Sequence, residues 1–345
     1  MKTCFLVEPG CIELREIPIP KATDGEMVIK VKVALTCGTD LKAYRRGHPK
    51  MPMPTLFGHE FSGEIIDVGF RVNGYEEGEP VMVVHTAPCG ACYYCRRGLE
   101  NLCADTMHNM VLGAYSEYIK IPRHIVRNNI FNKPENLSYE EAAILEPLAC
   151  VVHGIDPLPI KPDDTVLIIG AGAIGLLHVL LAKVKGALNI IVAGKHQNRL
   201  QLAKELGANY VVDVKKENSV EALMALTRGF GANWVFECTG RPLVWEQSVS
   251  MVSKGGTVVL FGGCPTGTRV TFDTSRLHYD EITLVGAFHF TPRDVEKAFQ
   301  LLAQGQINVR KLITDSFPLK DLAKAFDLLI KGDGVKFAIV PNLLF

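Results

Sequence analysis

The sequence predicts an α/β protein: a doubly wound parallel sheet over residues 148–288, set between two parts, 1–147 and 289–345, of a second and mostly β domain. Three observations predict it. From Thr165 onward, apolar runs of strand length alternate with runs of helix length. Strands alternating with helices give right-handed crossovers and a sheet buried on both faces. Before that point the chain reads as short strands punctuated by Gly and Pro. After Asp294 come two helical stretches and a final strand, KFAIV, which are expected to pack back onto the first part.

The elements follow in order. Met27 to Leu35 alternates in part (VIKVKVAL) and reads as a strand, and residues 79 to 85 (EPVMVVH) form another. The second leads into Cys89, Cys92, Cys95 and Cys103, spaced C-x2-C-x2-C-x7-C. Four thiolates that close enclose one Zn²⁺ tetrahedrally and leave no open position, which makes a structural site. Two disulfides or four unrelated thiols are the other readings, and a chain without an export signal disfavours disulfides. Helical patterning becomes clear at Ser138, which is placed to N-cap a helix with Glu141 in the capping-box position.

From Thr165 the order is TVLIIG, a helix from Ala173 to Lys185, IIVAG, a helix from Gln197 to Leu206, YVVDV, a helix near Val220 to Thr227, WVFEC, a helix after Pro242, and TVVLFGG. The turn Gly170-Ala171-Gly172-Ala173-Ile174-Gly175 matches G-x-G-x-x-G between a strand and a helix, the context of a dinucleotide-binding Rossmann unit. Gly170 permits the tight turn, Gly172 lets backbone approach a pyrophosphate at the helix N-terminus, and Gly175 lets helix pack on strand. An NAD site places Asp or Glu about twenty residues on. Here that strand ends Val192-Ala193-Gly194-Lys195-His196, with Arg199 a turn later. Gly194 leaves room for a 2′-phosphate that Lys195, His196 and Arg199 neutralise, so NADP(H) is expected over NAD(H).

Cys37, in TCGTD, together with His59-Glu60, in FGHEFSG, and Glu146 form the candidate catalytic metal set. Catalytic zinc takes about three protein ligands of Cys, His and carboxylate type and keeps one open position. A lone Cys is commonly inert and a His-Glu pair commonly an ion pair, so spacing alone leaves both readings open.

Over nearly its whole length the chain resembles the zinc-dependent medium-chain alcohol dehydrogenase superfamily. Cys37-Gly38-Thr39-Asp40, Gly58-His59-Glu60-x-x-Gly63, the four-cysteine lobe, Glu146-Pro147-Leu148-Ala149 and the glycine fingerprint occur in the family's order. The nearest branches are the sorbitol (polyol), threonine and secondary-alcohol dehydrogenases. The resemblance implies a GroES-like catalytic domain beside the Rossmann domain. It also implies Cys37, His59 and Glu60 as ligands of a catalytic zinc, with Glu146 a fourth ligand or a partner of the zinc-bound water. Thr39 would bond the substrate oxygen and begin a proton relay. Ile174 and the Phe261-Gly262-Gly263 turn would line the coenzyme cleft, and backbone at Ala287-Phe288 would orient the carboxamide. Phe57 and His289 are candidate pocket-wall residues, with core packing or a subunit contact as the alternative, and Cys150 and Cys238 are expected in the core. The family favours dimers and tetramers, so a homo-oligomer is expected. Where the family commonly carries a relay His, three residues past Thr39, this chain has Lys42, a poor shuttle at neutral pH but a reasonable anion contact.

Composition narrows the field. Lys+Arg and Asp+Glu both total 37 in 345 residues, and a net charge of zero argues against a zinc-ribbon nucleic-acid binder. Met1 to Pro20 carries Glu8, Glu13, Arg15 and Glu16 and has no signal-peptide apolar core, and no run approaches the ~18 apolar residues of a membrane span. A reducing cytoplasm and a small-molecule alcohol or ketone substrate are expected. A threonine dehydrogenase using NAD, and a non-enzymatic relative without catalytic zinc, are the remaining alternatives.

Overall fold

In the computed structural model, which describes residues 1–48 and 51–343, strand Thr165–Ile169 lies at the centre of a six-stranded sheet. Its order is Tyr210–Asp213, Asn189–Gly194, Thr165–Ile169, Ala232–Glu237, Val252–Leu260, Thr283–Gly286, and every pairing is parallel. The strand order reverses between Thr165–Ile169 and Ala232–Glu237, and open α/β sheets bind ligands at the carboxyl ends of strands at such a switch point. The helices are Ala173–Val184, Gln197–Leu206, Ser219–Leu226 and Pro242–Met251, each within a residue or two of its expected place. Leu167, Ile191, Val235 and Val258, from four adjacent strands, are fully buried, as a sheet covered on both faces requires.

The chain divides into two compact units, Met1–Ala149 with His289–Phe345, and Cys150–Phe288. In the first, a seven-stranded sheet runs Ile313–Phe317, Lys336–Ile339, Met27–Leu35, Phe61–Val68, Pro80–Val83, Ile130–Asn132, with Tyr118–Ile121 also paired to Met27–Leu35. The last strand joins through Ala338 opposite Leu35 and Ile339 opposite Ala34, so the tail does return to the first part of the chain. The described part of the tail ends at residue 343; Leu344 and Phe345, like Pro49 and Lys50, lie outside the described residues. Ser138 caps Tyr139–Ala142 in a capping box with Glu141, as its spacing predicts.

Helices Gly38–Arg46, Arg123–Val126 and Thr274–Tyr279 escaped the sequence pattern. The first of them is the one at the candidate site. Gly38–Arg46 is capped by the Cys37 sulfur, which accepts from Thr39 N–H at 3.4 Å, and it carries Asp40 in its first turn and Arg45 and Arg46 in its last. It buries only Asp40 and Ala43, so it has no apolar stripe to betray its period. Among the described residues no helix is long and apolar enough to cross a membrane.

Candidate active site

Two loops of the first unit bring Cys37, His59 and Glu60 together, while Glu146 groups with Cys150 and His289. Cys37 stands just past strand Met27–Leu35, at a helix N-terminus that favours a thiolate. His59 and Glu60 immediately precede strand Phe61–Val68. Their ligand atoms and the Cys37 sulfur lie within 4.8 Å of one another. Gly58, just before them, has φ +90°, and a Cβ there would stand 2.7 Å from the Tyr115 ring. Glycine is therefore required both for the turn and for the close approach of that ring.

The surrounding side chains aim these donors. His59 Nδ1 is 3.0 Å from Asp40 Oδ1, which leaves Nε2 for a ligand. The Tyr115 hydroxyl donates to Asp40 Oδ2 at 2.7 Å and lies 3.0 Å from the Leu35 carbonyl oxygen. Lys336, buried on the last strand, donates from Nζ to Glu60 Oε2 and, at 3.0 Å, to the Thr36 carbonyl. Glu60 Oε1 is buried and has no hydrogen-bond partner among the described residues.

This charge balance suits a cation. Burial pushes the Cys37 thiol up, and the neighbouring Glu60 carboxylate pushes it further. Burial opposes charge on His59, yet Asp40 and Cys37 hold its pKa well above that of an ordinary imidazole. Burial raises Glu146, in the first turn of helix Leu145–Ile155, to about 7. Its Cys, His and carboxylate donors are the set zinc takes at a catalytic site.

Thr39 is half-buried at the start of its helix, and Lys42 is exposed one turn later. Phe57, one of the candidate wall residues, is instead fully buried core, its ring 5.4 Å from Tyr115 and 5.7 Å from Phe326. His289 does stand in a polar wall: its Nε2 is 2.6 Å from Thr86 Oγ1, and its ring is 5.7 Å from that of His85. Sequence reasoning missed His85, Lys336 and Tyr115. None belongs to a motif, and only the fold brings them to the site.

The four-cysteine lobe has the geometry of a closed metal site. The sulfurs of Cys92 and Cys95 are 3.5 Å apart and those of Cys89 and Cys95 4.0 Å, beside the separation of about 3.8 Å that tetrahedral zinc with 2.3 Å bonds requires. Backbone N–H groups of Cys92 and Asp105 point at the sulfurs of Cys89 and Cys103, both at 3.4 Å. Backbone donors at Cys95 and Ala104 draw the Cys92 thiol down to about 6, while burial and the neighbouring thiols push Cys95 up to about 12. Four thiolates coexist there only around a cation.

In the second unit, a cavity of about 450 Å³ opens at the switch point, lined by Gly170, Ala171, Gly172, Gly194, Lys195, His196, Arg199, Cys238, Thr239 and Arg241 among others. Gly170 has φ +111°, and a Cβ on Gly175 would lie 1.8 Å from the Gly170 carbonyl oxygen, so turn and helix interlock as the fingerprint requires. Gly172 caps helix Ala173–Val184 without a side-chain bond, leaving backbone N–H groups for a phosphate. Ala173, Ile174 and Gly175 are that helix's first residues and do not line the cavity. Neither do Phe261, Gly262 and Gly263, past strand Val252–Leu260, or Ala287 and Phe288, past Thr283–Gly286. Cys238 was expected in the core but is half-buried and lines the cavity. Beside it, the buried carboxylate of Glu237 accepts from Thr239 N–H at 2.8 Å and Gly240 N–H at 3.1 Å, which holds the turn that carries Thr239.

Known proteins agree with this architecture. Residues 23–130 match the alcohol dehydrogenase GroES-like domain and residues 173–304 the zinc-binding dehydrogenase family. A sorbitol dehydrogenase of Bacillus subtilis (strain 168) is 31% identical over 99% of this chain and 98% of its own. An L-threonine 3-dehydrogenase of Bacillus licheniformis is 34% identical over 97% of this chain and 96% of its own. A zinc-binding dehydrogenase of Sinorhizobium meliloti 1021, solved with NADP bound, superposes with a TM-score of 0.91 at 31% identity over 99% of both chains. With the GroES-like and Rossmann-type domains in sequence and in structure, the chain belongs to the zinc-dependent medium-chain alcohol dehydrogenase superfamily and is an alcohol or polyol dehydrogenase of that family.

Proposed function

We propose that this dehydrogenase reversibly converts a secondary alcohol or polyol to the carbonyl compound, with NADP(H) preferred over NAD(H) and two zinc ions per chain, one catalytic and one structural. The observation that carries the reading is the cluster of Cys37, His59 and Glu60, in which Lys336 occupies one oxygen of Glu60 and leaves Oε1 buried with no hydrogen-bond partner among the described residues. Cys37, His59 and Glu60 would hold a zinc ion that, when bound, would supply Lewis acidity to the alcohol oxygen, and the hydride would pass to a nicotinamide coenzyme.

The remaining work belongs to the chain's own residues. Asp40 holds the tautomer and tilt of His59. Glu146 is the further carboxylate that exchanges with Glu60 or takes up the proton of bound water. Thr39 Oγ1 accepts the proton from the substrate hydroxyl and passes it outward. Cys89, Cys92, Cys95 and Cys103 hold the closed zinc, which does no chemistry. In the cavity of the second unit, no lining residue is Asp or Glu, while Lys195, Arg199 and Arg241 line it. That charge supports NADP, as does the NADP-bound relative from Sinorhizobium meliloti. The family's habit supports a homodimer or homotetramer in the cytoplasm.

Turnover of secondary alcohols, polyols and L-threonine with NAD⁺ and NADP⁺ tests the reading. Cys37→Ser is expected to abolish turnover and keep coenzyme binding; unchanged turnover would remove the site. The competing reading, an NAD-dependent L-threonine 3-dehydrogenase, draws on the Bacillus licheniformis relative. Threonine and NAD⁺ as the best pair by kcat/KM would install it.

A further inference from the structure

Three central strands of the second unit end level with one another. Glu237, the last residue of Ala232–Glu237, stands opposite Ile169 on one side and Leu260 on the other. It therefore sits at the switch point, where turns begin at Gly170, Cys238 and Phe261. Its side chain is fully buried. Oε1 accepts from Thr239 N–H at 2.8 Å and from the Thr239 hydroxyl, and Oε2 accepts from Gly240 N–H at 3.1 Å. Its carbonyl oxygen accepts from Phe261 N–H at 3.0 Å and from Gly262 N–H at 2.8 Å. One residue thus ties the turns that follow two adjacent strands. The fit is close: a Cβ on Gly262 would run into Gly240 N and lie 2.8 Å from Glu237 Oε2. On the other side, a Cβ on Gly170 would lie 3.0 Å from Thr239 Cγ2, so the tied turn packs against the glycine turn. Gly170, Thr239 and Arg241 line the cavity; Glu237 does not.

Burial raises the pKa of the Glu237 carboxyl, and the bonds from Thr239 and Gly240 oppose the rise. A buried carboxylate is costly, and an apolar side chain would avoid that cost only by leaving those N–H groups unpaired. We infer that Glu237 is a positioning residue for the coenzyme: without lining the cavity, it holds Thr239 and Arg241 at the spacing from the glycine turn that NAD(H) and NADP(H) both need. This rests on the cavity being the coenzyme site, as proposed above. Arg241 is included because its N–H donates to Thr239 Oγ1 at 3.2 Å, one bond beyond Glu237. Glutamine, the nearest substitute in shape, shows why the charge is needed. It keeps one acceptor oxygen and turns the other into an NH2 that faces donors.

The test measures Kd for NADPH and NADH on the full-length zinc-loaded enzyme, from quenching of its two tryptophans, Trp234 and Trp245, with coenzyme KM and kcat beside them. Glu237→Gln is expected to raise Kd and KM for both coenzymes alike by about ten-fold or more, the scale of one lost hydrogen bond to a charged group. At saturating coenzyme, kcat should fall by no more than about three-fold. A destabilised Glu237→Gln enzyme with unchanged Kd would overturn the inference and leave Glu237 a support of the fold only. Weakening of one coenzyme alone, or a fall in kcat at unchanged KM, overturns it as well. Should Glu237→Gln fail to fold, amide hydrogen exchange of the coenzyme-free wild type decides. The N–H groups of Thr239, Gly240, Phe261 and Gly262 must then open together as one group, and independent exchange of the two turns refutes the tie. A wild type that binds neither NADPH nor NADH brings down the functional reading itself, a result distinct from an unchanged Kd in the variant.

Discussion

Asp40 Oδ1 lies 3.0 Å from His59 Nδ1, a link between residues 19 apart in sequence that decides which nitrogen of His59 can bind a metal. The other oxygen of Asp40 accepts from Tyr115 at 2.7 Å, so the carboxylate is held from both sides. Carboxylate partners of this kind are worth about 10–100-fold in metal affinity or activity. Asp40→Asn should lower catalytic zinc retention and kcat/KM in that range, read by metal analysis after dialysis against a chelator. Full zinc content with full activity would show that His59 needs no such support.

Lys336 and Glu60 form a buried ion pair across 276 residues of sequence. Removing one partner of a buried pair leaves the other charge uncompensated, at about 3–5 kcal/mol. Lys336→Met should therefore lose about that much in denaturant unfolding, and the double variant with Glu60→Gln should recover part of it. A loss below about 1 kcal/mol would mean that the metal alone neutralises Glu60.

Cys95→Ser should reduce bound zinc from about two ions per chain to about one. Thermal stability or assembly should fall first, with kcat of the surviving folded fraction little changed. Retention of both zincs would refute the closed-site assignment of the lobe.

His178 gives a pH test away from the metal centres. Its Nδ1 is 2.9 Å from the Ile174 carbonyl oxygen, its ring sits 4.6 Å from Phe236, and burial lowers its pKa to about 4 from an ordinary 6.5. Between those values the unfolded chain binds the proton and the folded chain does not. Stability therefore falls as pH drops through that window, by about 3 kcal/mol in full. His178→Phe should flatten the slope of unfolding free energy against pH there, and an unchanged slope would exclude His178 as its source.

Lys195→Ala with Arg199→Ala should lower kcat/KM for NADP⁺ by about ten-fold or more and leave NAD⁺ within about three-fold. Equal effects on the two coenzymes would remove the 2′-phosphate assignment. The structure advises against Gly194→Asp as the reciprocal test. A Cβ at Gly194 would lie 3.0 Å from that of Ala171 and 3.1 Å from Leu200 Cδ2, so loss of both coenzymes is expected there.

Much of the fold was legible because its signals are local. Strands such as Thr165–Ile169 and helices such as Gln197–Leu206 announce themselves by apolar runs bounded by turn residues. Helix Gly38–Arg46 did not, because it buries one acidic and one small residue and is specified by its ends. Likewise Phe57 carries no local sign that the rings of Tyr115 and Phe326 close against it in the core.

By itself the sequence determined the alternating strands and helices from Thr165 to Leu260, the glycine turn, the thiol spacing of the lobe and the donor types of the candidate catalytic set. Each is a pattern of period or spacing that neighbouring residues express alone. Only the tertiary structure decided which oxygen of Glu60 Lys336 occupies and which nitrogen of His59 Asp40 occupies. Those choices depend on Lys336 and Tyr115, which reach the cluster from distant strands and loops. A buried polar atom must find its partner wherever packing brings one, and that partner has no fixed distance along the chain.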